Sequence, residues 1–167
     1  MTANKNAQEV QGFIVKHGLA VMLVGLLGGF GWVFALLGEL KISPIPIVFM
    51  DSFPGDPARW RSIHTGCLLN GIMALAFASI LHLFSFTDKK GKLIAYSVLT
   101  AIWGNTVFYF CNLFSANRSL SLGDNALGEG NIFGVIGFIV AMLGAIALII
   151  IIIVLIRTPL QSKMPKS

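Results

Sequence analysis

"GNIFGVIGFIVAMLGAIALIIIIIVLI", residues 130–156, runs without a single charged side chain. A helix rises about 1.5 Å per residue, so roughly 20 apolar residues cross the ~30 Å of hydrocarbon in a bilayer. This stretch exceeds that length, and it lacks the alternation of apolar and polar residues that a membrane β-strand requires. Working back along the chain, residues 18–38, 65–87 and 93–117 are also free of Asp, Glu, Lys and Arg. Four spanning helices are therefore predicted, and the class is an all-α integral membrane protein, a four-transmembrane-helix bundle. With 56% hydrophobic and only 11% charged residues, the chain departs from the balance of a soluble domain. Its 167 residues are expected to form one membrane domain, with no separate soluble catalytic unit.

The connections refine this picture. The polar opening "MTANKNAQEVQGFIVK" and the absence of a small-residue cleavage site after the first span predict a retained helix rather than a signal peptide. Lys5, Lys16, Lys89, Lys90, Lys92, Arg157, Lys163 and Lys166 would lie on one side of the membrane, and Lys41, Arg59, Arg61 and Arg118 on the other. By the positive-inside rule the first side is cytoplasmic and holds both termini. A bacterial inner membrane suits such a chain. The net charge of +5 is thereby explained by the lipid bilayer and its anionic headgroups, with no nucleic acid as partner.

"TDKKGK" (87–92) predicts a tight turn making spans two and three an antiparallel hairpin. The longer segment 39–61 holds Pro44, Pro46, Pro54 and Pro57, and Asp56-Pro57 reads as an N-cap followed by proline at the first helical position. Trp60 would anchor that end at the interface. Gly25 with Gly29, and Gly137 with Ala141 and Ala145, have the spacing of small-residue helix seams. Cys67 and Cys111 fall within spans, where no structural disulfide is expected.

Polar residues inside a membrane are costly, so they point to function or to helix pairing. Span two carries His64, Thr65, Cys67 and Asn70; span three carries Asn105, Tyr109 and Asn112, whose i, i+4, i+7 spacing puts them on one face. Two readings stand open: interhelical hydrogen bonding, or a polar pocket between the two helices. Histidine is the strongest metal-ligand type present, because the chain has no CxxC and no carboxylates at ligand spacing within its spans. His64 and His82 are eighteen residues apart, about 27 Å along a helix, and cannot share one metal. His17 and His82 are expected near the cytoplasmic helix ends. For His64 an interfacial hydrogen-bonded role and a haem or metal ligand are both open.

His64-Thr65-Gly66-Cys67-Leu68-Leu69-Asn70-Gly71, Trp103-Gly104-Asn105 with Tyr109, Asn117-Arg118-Ser119-Leu120-Ser121 and Gly128-Glu129-Gly130-Asn131-Ile132-Phe133 together resemble the styrene oxide isomerases. The similarity extends over about residues 10–157 and includes the order of the spans. It implies a membrane enzyme, a homotrimer with ferric haem b at each subunit interface, held by a histidine corresponding to His64. It further implies isomerisation of a hydrophobic aryl epoxide, entering from the bilayer, to an aldehyde by Meinwald rearrangement, with the haem as Lewis acid. Asn70 and Tyr109 match the substrate-orienting positions; Asn105, Asn117 and Arg118 are assigned to the cofactor site, with Arg118 facing a propionate as the only cation between spans three and four. The resemblance departs at Ala101, one turn before Asn105, where the family carries an aspartate. A haem-binding electron carrier or sensor is the competing reading; a carrier would need two axial histidines, and His17 with His82 is the intrachain pair available. Asn117-Arg118-Ser119 also matches a glycosylation sequon.

Overall fold

The computed structural model describes residues 2–41, 44–45, 47–50 and 52–161. Pro46, Lys163 and Lys166 lie outside the described residues, as do the side chains of Lys5 and Lys41. Four helices carry the architecture: α1 (Thr2–Leu37), α2 (Pro57–Ile80), α3 (Asp88–Leu113) and α4 (Ile132–Ile156). All four are long and apolar enough to cross a membrane. Between α1 and α2 a short antiparallel pair, β1 (Leu40–Lys41) with β2 (Val48–Met50), folds the proline-rich segment back on itself.

The helix ends follow capping chemistry more closely than hydropathy. α1 begins at Thr2, well ahead of the predicted position 18. Its 36 residues give about 54 Å, more than a bilayer's thickness, so its first turns stand outside the hydrocarbon. It ends at Gly38, whose φ of 75° and N–H bond to the Phe34 carbonyl, 2.9 Å, form a left-handed C-cap that suits glycine. α2 starts as expected: Asp56 accepts from the Ala58 N–H at 2.8 Å, with Pro57 at the first turn. It stops at Ile80, short of the predicted 87, and a 3-10 turn, Leu81–Leu83, follows. Thr87 caps α3, so residues 88–92, expected as a connecting turn, are instead its first turn. α3 in turn ends at Leu113 rather than 117. Asn131 caps α4 by accepting from the Gly134 N–H at 2.9 Å, which moves the start from 130 to 132.

Small residues decide which helices pair closely. A Cβ added at Gly25 would lie 2.9 Å from the Leu68 backbone nitrogen, and one at Gly71 would lie 2.7 Å from the Gly18 carbonyl oxygen. α1 and α2 are thus in near backbone contact. On the other side, a Cβ at Gly144 would lie 3.2 Å from the Ala101 Cα, and one at Gly104 would lie 2.7 Å from the Val140 carbonyl oxygen. The seam of α4 therefore runs through Gly137 and Gly144; Ala145 is exposed and takes no part in it. α2 and α3 are antiparallel neighbours as predicted, yet the intimate pairs are α1/α2 and α3/α4, with α3 seated against the first pair. Ile14, Val21, Ile63, Ile94, Val98 and Ile102 fill the centre and are fully buried. Most of the remaining large apolar side chains are exposed, as suits surfaces that meet lipid.

Candidate active site

His64 lies where α2 crosses the glycine face of α1. Its Nδ1 is 2.8 Å from the Gly25 carbonyl oxygen. A carbonyl can only accept, so Nδ1 carries the proton and Nε2 keeps its lone pair. An imidazole held in this way could serve as a directed monodentate ligand. Gly29 makes room for it: a Cβ there would sit 2.8 Å from Nδ1. Trp32 borders the ring, with centroids 5.9 Å apart. Among the described residues no three of His, Cys, Asp and Glu gather into a metal-ligand set. A group that brings most of its own ligands and asks one nitrogen of the protein, as haem b does, fits this donor set.

The polar stripe of α3 faces α2 in part. Asn105 donates from Nδ2 to Asn70 Oδ1 at 3.2 Å, and the Tyr109 ring packs on Gly66, where a Cβ would strike it. Asn70 is nearly fully buried, yet its Nδ2 makes no hydrogen bond of full geometry and has only the Tyr109 hydroxyl to interact with. A buried amide donor without a partner costs on the order of 1–3 kcal/mol, and a bound oxygen acceptor would remove that cost. The interhelical reading of the stripe therefore holds, since Asn105 joins the helices, while Asn70 keeps an amide donor beside Tyr109. Asn112, the third member, is buried at the end of α3 with its Oδ1 unpartnered.

His64 and Asn70 are six residues apart, about 120° around the helix. The imidazole turns to α1 while the amide turns to α3, so the chain presents the two groups on different faces. Ala101, placed on the stripe by spacing, proves to be fully buried beneath Gly144 of α4. It is part of the α3/α4 seam.

Asn117 organises the loop that follows α3. Ser115 Oγ and the Ser119 N–H both donate to its Oδ1, and its Nδ2 donates to the carbonyls of Ser121 (3.2 Å) and Gly123 (2.8 Å). All four of its side-chain bonding positions are filled, and it is wholly buried. As folded it is closed to glycosylation. Its partners hold Arg118 and Ser119 in left-handed backbone at φ 57° and 55°, a conformation costing about 1 kcal/mol or more per non-glycine residue. Arg118 is exposed at this end of the bundle.

Two histidines depart from expectation or clarify it. His82 sits exposed in the 3-10 turn, near a helix end as predicted. His17 does not lie at a helix end: it is half-buried in the middle of α1 and accepts a bond from Trp103 Nε1 at 3.1 Å. Neighbouring Gly18 packs on Ala74, eight residues before His82 and so about 12 Å from it along α2. With Nδ1 accepting from the indole, the neutral His17 ring carries its hydrogen on Nε2, so neither nitrogen is free to bind an iron.

Sequence reasoning missed Arg59. Its Nη1 donates to the carbonyl oxygens of Asn112 (2.7 Å) and Ser115 (2.8 Å), closing the C-terminal end of α3 from the first turn of α2. Nothing local in "ARWR" separates it from the exposed Arg61; only the packing of α2 on α3 does.

Fold and site together define a four-span membrane protein with a tautomer-fixed histidine and an adjoining amide and phenol pair. Known proteins resemble the chain in sequence over most of its length. A family model for styrene oxide isomerase matches residues 10–160. The styrene-oxide isomerase of Pseudomonas fluorescens is 37% identical over 139 residues, covering 80% of this chain and 82% of that protein. The chain belongs to the styrene oxide isomerase family.

Proposed function

We propose that this protein isomerises an aryl epoxide such as styrene oxide to the aldehyde phenylacetaldehyde by Meinwald rearrangement, in a site that uses ferric haem b. The observation that supports the cofactor assignment is the Nδ1–H bond from His64 to Gly25 at 2.8 Å, which leaves Nε2 free and would let His64 hold the haem. Arg118, exposed beside the outer end of α3, would meet a propionate in a charge-assisted pair. Asn117 acts one step back, by ordering the loop that presents Arg118, and Asn105 by orienting Asn70.

When bound, the haem supplies a Lewis acid for the epoxide oxygen, chemistry that demands no carboxylate of shifted pKa. The protein's own groups do the positioning. The free Nδ2–H of Asn70 and the Tyr109 hydroxyl are donors for that oxygen as charge develops on it. The surrounding apolar helix surfaces accept the aryl ring and exclude water, which would otherwise open the epoxide to a diol. Because His64 and Asn70 turn to different faces, a site using both draws them from two protomers, and this favours the interface of a homotrimer. The charge distribution favours an inner membrane with both termini in the cytoplasm.

Conversion of styrene oxide to phenylacetaldehyde by membranes carrying the protein tests the reading. His64→Ala should be inactive, while Asn70→Ala and Tyr109→Phe should lower turnover by about two to three powers of ten, the range lost with one such donor, and still bind haem. A wild-type protein that binds haem but turns over no aryl or alkyl epoxide would give way to the sensor or electron-carrier reading.

A further inference from the structure

At the end of the bundle opposite Arg118, a crevice of about 390 Å³ opens between α2 and α4. Phe77, Ile80 and Phe84 form one wall, and Ile152, Ile156 and Leu160 the other. The chain builds its floor deliberately. After α4 it turns back to the α2–α3 connection, with the Ser85 N–H bonded to the Pro159 carbonyl at 3.2 Å and the Gln161 N–H to the Leu83 carbonyl at 2.9 Å. Thr158 is buried in this return and is the polar residue of the lining.

The rim is cationic. Lys90 Nζ donates to Thr158 Oγ1 at 3.4 Å, which brings the ammonium to the crevice mouth and leaves two of its three N–H donors for other acceptors. Arg157, exposed, lies between the lining residues Ile156 and Thr158. Among the described residues no carboxylate lines this crevice. Glu9 and Asp88 line a separate one, with Lys92, on the α1/α3 side.

An apolar slot whose polar lining residue is bonded by Lys90 and preceded in the chain by exposed Arg157, at the level where a membrane helix leaves the hydrocarbon, matches a molecule with a chain and an anionic head. We infer that this crevice binds an anionic phospholipid, its phosphate on Lys90 and Arg157 and one acyl chain between the walls of α2 and α4. Neither a zwitterionic lipid, which carries its own cation beside the phosphate, nor a free phosphate, which has no chain, satisfies both halves.

The test is native mass spectrometry of the full-length protein released from mixed micelles holding equal amounts of phosphatidylglycerol and phosphatidylcholine with identical chains. Phosphatidylglycerol adducts should dominate and should survive excess inorganic phosphate. Lys90→Gln and Arg157→Gln should each lower the preference roughly fivefold, the effect of one cation near an anionic surface. Ile152→Trp, which fills the slot and spares the charges, should remove the adduct while the helical circular dichroism stays unchanged. Equal adducts of the two lipids, a preference that survives the double charge variant, or displacement by phosphate alone would overturn the assignment. So would loss of subunit association in Ile152→Trp, because a second copy would then be the occupant.

Discussion

At the scale of single residues, the chemistry of the site is carried by hydrogen bonds that assign protons. The carbonyl that His64 bonds fixes its proton on Nδ1 and leaves Nε2 open, whereas His17 spends its Nδ1 lone pair on the indole that donates to it at 3.1 Å. His64→Ala should abolish bound haem, whereas His17→Ala and His82→Ala should keep the Soret band; retention of full haem by His64→Ala would remove it as ligand. A subtler variant probes the orientation itself. Gly29→Ala places a methyl 2.8 Å from Nδ1, so the ring must turn away from Gly25. The protein should fold, yet its haem should dissociate more readily and show an altered ligand-field spectrum. An unchanged spectrum would mean that the Gly25 bond does not set the ligand.

At the scale of elements, two contacts link the site to the bundle. Arg59 satisfies carbonyls that the end of α3 leaves open, a task water performs for exposed helix ends but cannot perform for buried ones. Arg59→Leu should destabilise the protein by about 2–4 kcal/mol, within the cost of leaving buried acceptors without a charged donor. Thermal unfolding in detergent would show it, and an unshifted midpoint would reduce Arg59 to a surface cation. The α3/α4 seam makes a related demand. Ala101→Asp buries a carboxylate beneath Gly144, at a cost of several kcal/mol unless a partner is found. It should lower the unfolding temperature more than Ala101→Ser does; equal stability would show that a cavity or cation receives the acid, as the family's aspartate would require.

At the scale of the whole molecule, the question is how groups on different faces of a protomer act together. If His64 of one protomer meets Asn70 and Tyr109 of the next, co-expression of His64→Ala with Tyr109→Phe should restore activity. Some interfaces of the mixed assembly would then carry both wild-type groups. Isomerase assays on membranes containing both variants should exceed either alone; failure to do so would place the two groups in one chain. The lipid crevice at the opposite end of the bundle lies outside this arrangement and serves to seat the protein among anionic headgroups.

The four spans, the Asp56-Pro57 start of α2 and the family were legible in the linear chain. Each rests on short-range causes: the length of an uncharged run against bilayer thickness, a cap bonding its own helix, a motif of adjacent residues. Helix ends were less legible, because hydropathy marks where a chain leaves hydrocarbon, whereas Thr87 and Asn131 start helices by bonding backbone. The packing of helices was legible only in part: the α2/α3 pair and the Gly25 and Gly137 seams were, but the partners across those seams were not. Spacing put Ala101 beside Asn105, and only the crossing of Gly144 showed it to be seam; Arg59 and Arg61 look alike until α2 lies on α3. His64, Asn70, Tyr109, Asn105, Asn117 and Arg118 could be singled out as residues from the sequence alone. Which nitrogen of His64 holds the proton, which donor of Asn70 is left over, and that Asn117 spends every bond on its own loop were decided by tertiary structure, because those properties belong to pairs of atoms brought together from distant parts of the chain.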